Sequence, residues 1–154
     1  MRRVLVAVVL GFLLLPALPA GASPYPLAEI LDKAAVEKLA KAKVETTDDL
    51  LQRGAKAKDR QKLAKATKLS ARKLAEWVKM CDLLRIKGVG PEMVKLLNAG
   101  RVTTVKQLRA SKAAALNKRL VEANKKKKIT QNPPTEEQLS AWIEHAKKLE
   151  LVLK

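Results

Sequence analysis

The residues whose types and spacing point most clearly to chemistry run from Leu83 to Gly100: Leu83-Leu84-Arg85-Ile86-Lys87-Gly88-Val89-Gly90-Pro91-Glu92-Met93-Val94-Lys95-Leu96-Leu97-Asn98-Ala99-Gly100. Gly88 and Gly90 leave backbone N–H groups uncovered by any side chain. Pro91 suits the first position of a helix, where its missing N–H costs nothing. The N-terminus of such a helix carries unpaired donors and a partial positive charge. Lys87 and Lys95 add long-range attraction for anions. The chemistry this supports is main-chain recognition of an oxyanion, phosphate above all. The expected contact set is therefore Lys87, Gly88, Val89, Gly90 and Lys95. Arg101 and the run Lys125, Lys126, Lys127 and Lys128 supply further cations.

No constellation for catalysis accompanies these residues. The single histidine, His145, sits beside an apolar stripe with no Cys or carboxylate at metal-ligand spacing, so neither a metal nor a cofactor is expected. Glu144 and His145 are adjacent and project from different sides of a helix. No phosphate-cradling Walker loop, GxSxG or HExxH occurs. The single Cys81 cannot form an internal disulfide and reads as a small buried residue.

Helices must position the glycine turn. One is expected to end near Arg85, and the next to run from Pro91 until Gly100 stops it. Two stretches share a spacing: Leu74, Trp77, Val78, Cys81 and Leu84, and, 65 residues on, Leu139, Trp142, Ile143, Ala146 and Leu149. Each set falls on one helical face, which predicts two buried stripes with both tryptophans in the core. Ser70 and Thr135 precede them as N-caps, and Thr135 with Gln138 fits a capping box. Upstream, Val44-Glu45-Thr46-Thr47-Asp48-Asp49-Leu50 answers Val102-Thr103-Thr104-Val105-Lys106-Gln107-Leu108 at an offset of 58. The threonines are expected caps, with Asp48 and Asp49 at the positive end of a helix dipole. The segment from Lys126 to Pro134 reads as an extra linker in the second copy. Nothing alternates with period two. The chain is therefore expected to be all-α, two diverged copies of a unit of about four short helices, at roughly 25–82 and 83–150. Opposite the glycine turn, the first copy has Ile30-Leu31-Asp32-Lys33-Ala34-Ala35, two residues shorter and without glycine. A continuing helix is expected there, hiding its donors.

The first 22 residues order themselves differently. Arg2-Arg3, an apolar run from Val4 to Leu15, Pro16 and Pro19, then Ala20-Gly21-Ala22 follow the plan of a cleavable secretory signal. The run is shorter than the about 20 apolar residues of a spanning helix. The expected product is exported, periplasmic or secreted, with no transmembrane anchor after cleavage. If the signal were kept, it would act as an anchor instead. Of the net charge of +17, only Arg2 and Arg3 fall in this segment, so the rest of the chain stays strongly basic. Nine basic residues face Asp59 alone between Arg53 and Lys73, and eight face Glu122 alone between Arg109 and Lys128. Such an excess implies a polyanionic partner: nucleic acid, an anionic membrane surface or an acidic polysaccharide.

Gly88-Val89-Gly90 between two amphipathic helices, framed by Leu83, Ile86, Val94 and Leu97, resembles the helix-hairpin-helix motif. The chain as a whole resembles the bacterial domain-of-unknown-function family numbered 4332, a tandem helix-hairpin-helix family. The likeness rests on the Thr-Thr turn, Arg53-Gly54-Ala55, Leu74-x-x-Trp77-Val78, Arg85 to Gly90, and Pro133-Pro134-Thr135 leading to Trp142-Ile143. It covers nearly all of Tyr25 to Leu149. The resemblance implies a helix-hairpin-helix (SAM-like) fold of about eight helices, with a DNA phosphate gripped at Gly88, Gly90 and the N–H groups just after. The expected function is non-enzymatic, sequence-independent binding of duplex DNA outside the cytoplasm, with no small-molecule substrate. The other reading is a protein-interaction or cell-envelope scaffold, in which the hairpin only packs helices or holds a protein partner.

Overall fold

A computed structural model describes residues 24–153; the expected signal at 1–22 lies outside the described residues. Within them the protein is all-α, with eight α-helices and no strand. After a 3-10 turn at Leu27–Glu29 come α1 (Lys33–Lys41), α2 (Thr47–Gly54), α3 (Ala57–Thr67) and α4 (Ala71–Leu84). Then follow α5 (Pro91–Ala99), α6 (Val105–Arg109), α7 (Ala113–Lys127) and α8 (Glu136–Lys148). The only extended pairing among the described residues is an isolated antiparallel bridge between Pro26 and Thr46.

Local chemistry sets most of these boundaries. The Thr46 hydroxyl accepts from the Asp49 amide while the Asp49 carboxylate accepts from the Thr46 amide, which closes a capping box on α2. Thr135 and Gln138 do the same for α8, and Thr104 caps α6 through the Gln107 amide. Ser70 stands at the N-cap of α4 but its hydroxyl makes no capping bond, contrary to the expected role. The presumed linker is also shorter than its sequence suggests. Lys126 and Lys127 are still helical, and α7 ends only at Lys128, which is left-handed at φ 49°. Lys68 ends α3 in the same way at φ 56°. Left-handed Lys43 and Arg101 follow α1 and α5, again at an offset of 58. Gly100 does terminate α5, but at φ −82°; Arg101 takes the left-handed conformation. Glycine leaves room at 100, where a Cβ would press on the buried Leu120 side chain.

Two apolar cores form along the chain. Leu27, Leu39, Leu50, Leu63, Leu74, Val78 and Cys81 belong to the first; Leu84, Ile86, Leu97, Leu108, Leu116, Leu120, Leu139 and Trp142 belong to the second. The N-terminal part of α4 thus serves one core and its end serves the other. Ile30 packs against both. Buried Asp82 fastens the junction. One carboxylate oxygen meets Arg85 at 2.8 Å and the other accepts from the Val105 amide at 2.9 Å, at the start of α6. Arg85 reaches on to the Glu150 carbonyl, and Val152 and Leu153 return to the first core.

Two expectations about the first half need correction. Trp77 is only half-buried, unlike Trp142, which is 7% exposed. The segment Ile30 to Ala35 is not a continuing helix either. The chain turns after the 3-10 segment, and α1 begins afresh behind Asp32, whose carboxylate accepts from the Ala35 amide at 2.9 Å. A carboxylate fixed by that bond in a turn suits a new helix start better than an unbroken helix.

Candidate nucleic-acid interface

The turn between α4 and α5 is built from alternate use of its amides. The Val89 amide donates to the Ile86 carbonyl and the Lys87 amide donates to Nδ1 of His145 at 3.2 Å. Among the described residues, the amides of Gly88, Gly90, Glu92 and Met93 make no hydrogen bond. Gly88 adopts φ +88°, where an L side chain is strained, and a Cβ would also meet the Trp142 indole nitrogen at 3.0 Å. Gly90 is the N-cap of α5 and supplies no capping side chain. Val89 is buried and anchors the turn from below, while Lys87 and Gly88 are exposed. Helix α8 thus supports the turn through Trp142 and His145. Sequence alone gives His145 no role. Its place three residues after Trp142, hence on nearly the same helical face, was the available signal.

Gly90 and Asp32 occupy matching positions at an offset of 58, and the contrast between them defines the site. In the first half, Asp32 puts its own carboxylate on the N-terminus of α1. In the second half the same place holds no side chain, and the helix end remains open to an external oxyanion.

The cations expected from sequence gather around α5 and the end of α7. Arg101, Lys126 and Lys127 line a groove of about 340 Å³ with Gly100, Glu122 and Arg119, the last of which no sequence pattern singles out. Lys125 and Lys128 line a second groove with Glu92, near the start of α5. Lys95 is exposed on α5 itself. The hairpin residues Lys87 to Gly90 thus stand at one end of α5 and Arg101 at the other. The α7 end is pinned beside this row by Asn124, which accepts from the Ile129 and Thr130 amides and donates to the Thr130 carbonyl. Glu92 interrupts the positive surface; its carboxylate accepts from the Thr130 hydroxyl at 2.9 Å.

Other ionisable groups serve the frame. Burial and the neighbouring Asp49 raise the Asp48 carboxyl above its ordinary range, against the pull of Arg85. Burial also pushes on Asp49, but hydrogen bonds from Thr46 and Glu45, with Arg53 nearby, leave it below the usual carboxylate range. Burial, then Asp48, push the Cys81 thiol up to about 12, so little of the reactive thiolate forms near neutrality. Among the described residues no group of three or more His, Cys, Asp or Glu could hold a metal ion. No described helix is long and apolar enough to cross a membrane.

An all-α protein with an uncapped glycine turn in a basic setting is the class these features define. Residues 29–149 match the family described as a domain of unknown function (DUF4332), and the chain belongs to that family. No curated protein and no solved structure matches the chain.

Proposed function

We propose that this protein is an exported, non-enzymatic binder of nucleic acid that grips duplex DNA by its phosphates without reading sequence. Helix-hairpin-helix architecture in two diverged copies would provide the scaffold. The observation that carries the reading is the open N-terminus of α5 behind Gly90, set against the carboxylate-capped N-terminus of α1 behind Asp32. A phosphate oxygen would take the place that Asp32 fills internally in the first half. The amides of Gly88, Gly90, Glu92 and Met93 would donate to it, and Lys87 and Lys95 would hold it electrostatically. Arg101, Lys125, Lys126, Lys127 and Lys128 would extend the contact along the backbone. Only one of the two turns is open, so the α7 cations would supply the second point of attachment. Export rests on the signal pattern in residues 1–22.

Binding of this kind releases counterions and weakens steeply with salt. A gel-shift series with the purified protein and unrelated duplexes should show equal affinities at each salt concentration. The logarithm of the affinity should fall linearly with the logarithm of salt. Duplex left unshifted by micromolar protein at low salt would sink the reading and favour the scaffold role.

A further inference from the structure

Two irregularities of the molecule meet in one place. The first is Asn98, near the end of α5. Its Oδ1 is the one buried side-chain polar atom without a hydrogen-bond partner among the described residues. Buried amides are almost always paired, so an unpaired one calls for an explanation. The corresponding residue of the first half, 58 positions back, is Ala40, so the helix does not require an amide there. The second irregularity is Trp77, half-buried where its counterpart Trp142 is covered by the glycine turn. Both residues line a single cleft of about 300 Å³ between α4 and the end of α5, together with Met80, Lys79, Glu76 and Thr103.

The lining sets an apolar wall of Trp77 and Met80 against the polar groups of Asn98, Thr103, Glu76 and Lys79, in a volume at the lower end of the range for small-molecule sites. An indole is a stacking surface for a flat ring. An amide offers a donor and an acceptor side by side, and rotation about its last bond presents either end. That pair matches the edge of adenine, which carries an amino donor beside a ring-nitrogen acceptor. Lys79 stands in the same lining and can meet a phosphate attached to the ring.

We propose that the Trp77–Asn98 cleft takes a single unstacked adenine base, stacked on Trp77 and hydrogen-bonded by Asn98. The base could belong to a free nucleotide or to the end of a strand. This goes beyond phosphate gripping at the glycine turn and does not depend on it.

Emission from Trp77 reports on the cleft, and a probe without a base controls for emission from Trp142 beneath the glycine turn. The full-length protein is titrated with AMP, with ribose 5-phosphate as the probe lacking a base, and excited where adenine does not absorb. In parallel, affinities for a blunt duplex and for the same duplex with an adenine overhang are compared. Saturable quenching by AMP and not by ribose 5-phosphate is expected, and a preference for the overhang would identify the strand end as a source. The Asn98→Leu variant keeps the number and branching of the side-chain heavy atoms and removes the amide with its unpaired Oδ1, so it should fold with an unchanged circular dichroism spectrum. It should weaken AMP about tenfold, abolish any overhang preference and leave blunt-duplex affinity as it was. The proposal is overturned if neither AMP nor the overhang gives a response, or if the response survives intact in Asn98→Leu.

Discussion

Asp82 is the residue on which the two halves of the chain meet. It is 2% exposed, and its two oxygens hold Arg85 and the first amide of α6. Removing the carboxylate leaves the partly buried Arg85 guanidinium without its counter-charge and the Val105 amide unpaired. Asp82→Ala should therefore lower unfolding free energy by about 3 kcal/mol in urea, and a loss under about 1 kcal/mol would contradict the role given to it. The neighbouring carboxylates on α2 differ in sign. Asp48 has a raised pKa in the folded state, so its ionised form opposes folding at neutral pH and the penalty disappears as pH falls. Asp49, held low, stabilises above the ordinary carboxylate range and loses that contribution on acidification. Asp48→Asn should be at least as stable as the parent at pH 7 and lose that advantage below about pH 4; a drop at pH 7 would reverse the argument. Little of this was legible in the sequence. Asp82 sits in an unremarkable helical stretch, and its partner Val105 lies 23 residues away. The Lys87–His145 bond, 58 residues apart, was equally hidden. Long-range pairings of this kind leave no local pattern.

Helix boundaries were far more readable, because their causes are local. Thr46, Thr104 and Thr135 all cap as their neighbours imply, and Pro91 opens α5. Where a cap residue has the right type but no bond, the sequence misleads, as at Ser70. These helices give a paired expectation. Thr135→Ala should cost about 1 kcal/mol, while Ser70→Ala should be near neutral by the same unfolding measurement. Equal losses would mean that Ser70 caps in solution. The first-half turn has no glycine, and its Asp32 does not lie within a continuing helix. As an N-cap it starts a helix, and it turns a supposed missing site into one already filled from within. Trp77 departs from the expected core position for a related reason. Helical spacing assigns a face to a residue but not the neighbour that covers it: Trp142 lies against the glycine turn, whereas Trp77 stays half-buried.

At the scale of the whole molecule, the all-α fold followed from the apolar spacing and its recurrence. The arrangement of charge did not. The strongly basic composition implied a polyanion, but only the folded chain sets Arg101 and Arg119 beside Lys126 and Lys127, and Lys125 and Lys128 beside the start of α5. The central claim is that the open helix end behind Gly90 receives a phosphate. Its most direct test is to close that end as the first half closes its own. Gly90 is extended, at φ −96° and ψ 180°, and a Cβ there meets nothing nearer than the Tyr25 hydroxyl at 3.8 Å. Gly90→Asp can therefore cap the Met93 amide as Asp32 caps that of Ala35, and Gly90→Asn can do so without adding charge. Duplex affinity at low salt should fall about tenfold in Gly90→Asp and by a smaller factor in Gly90→Asn, with melting temperatures at or above the parent's. Folded variants that bind duplex as tightly as the parent would contradict the account.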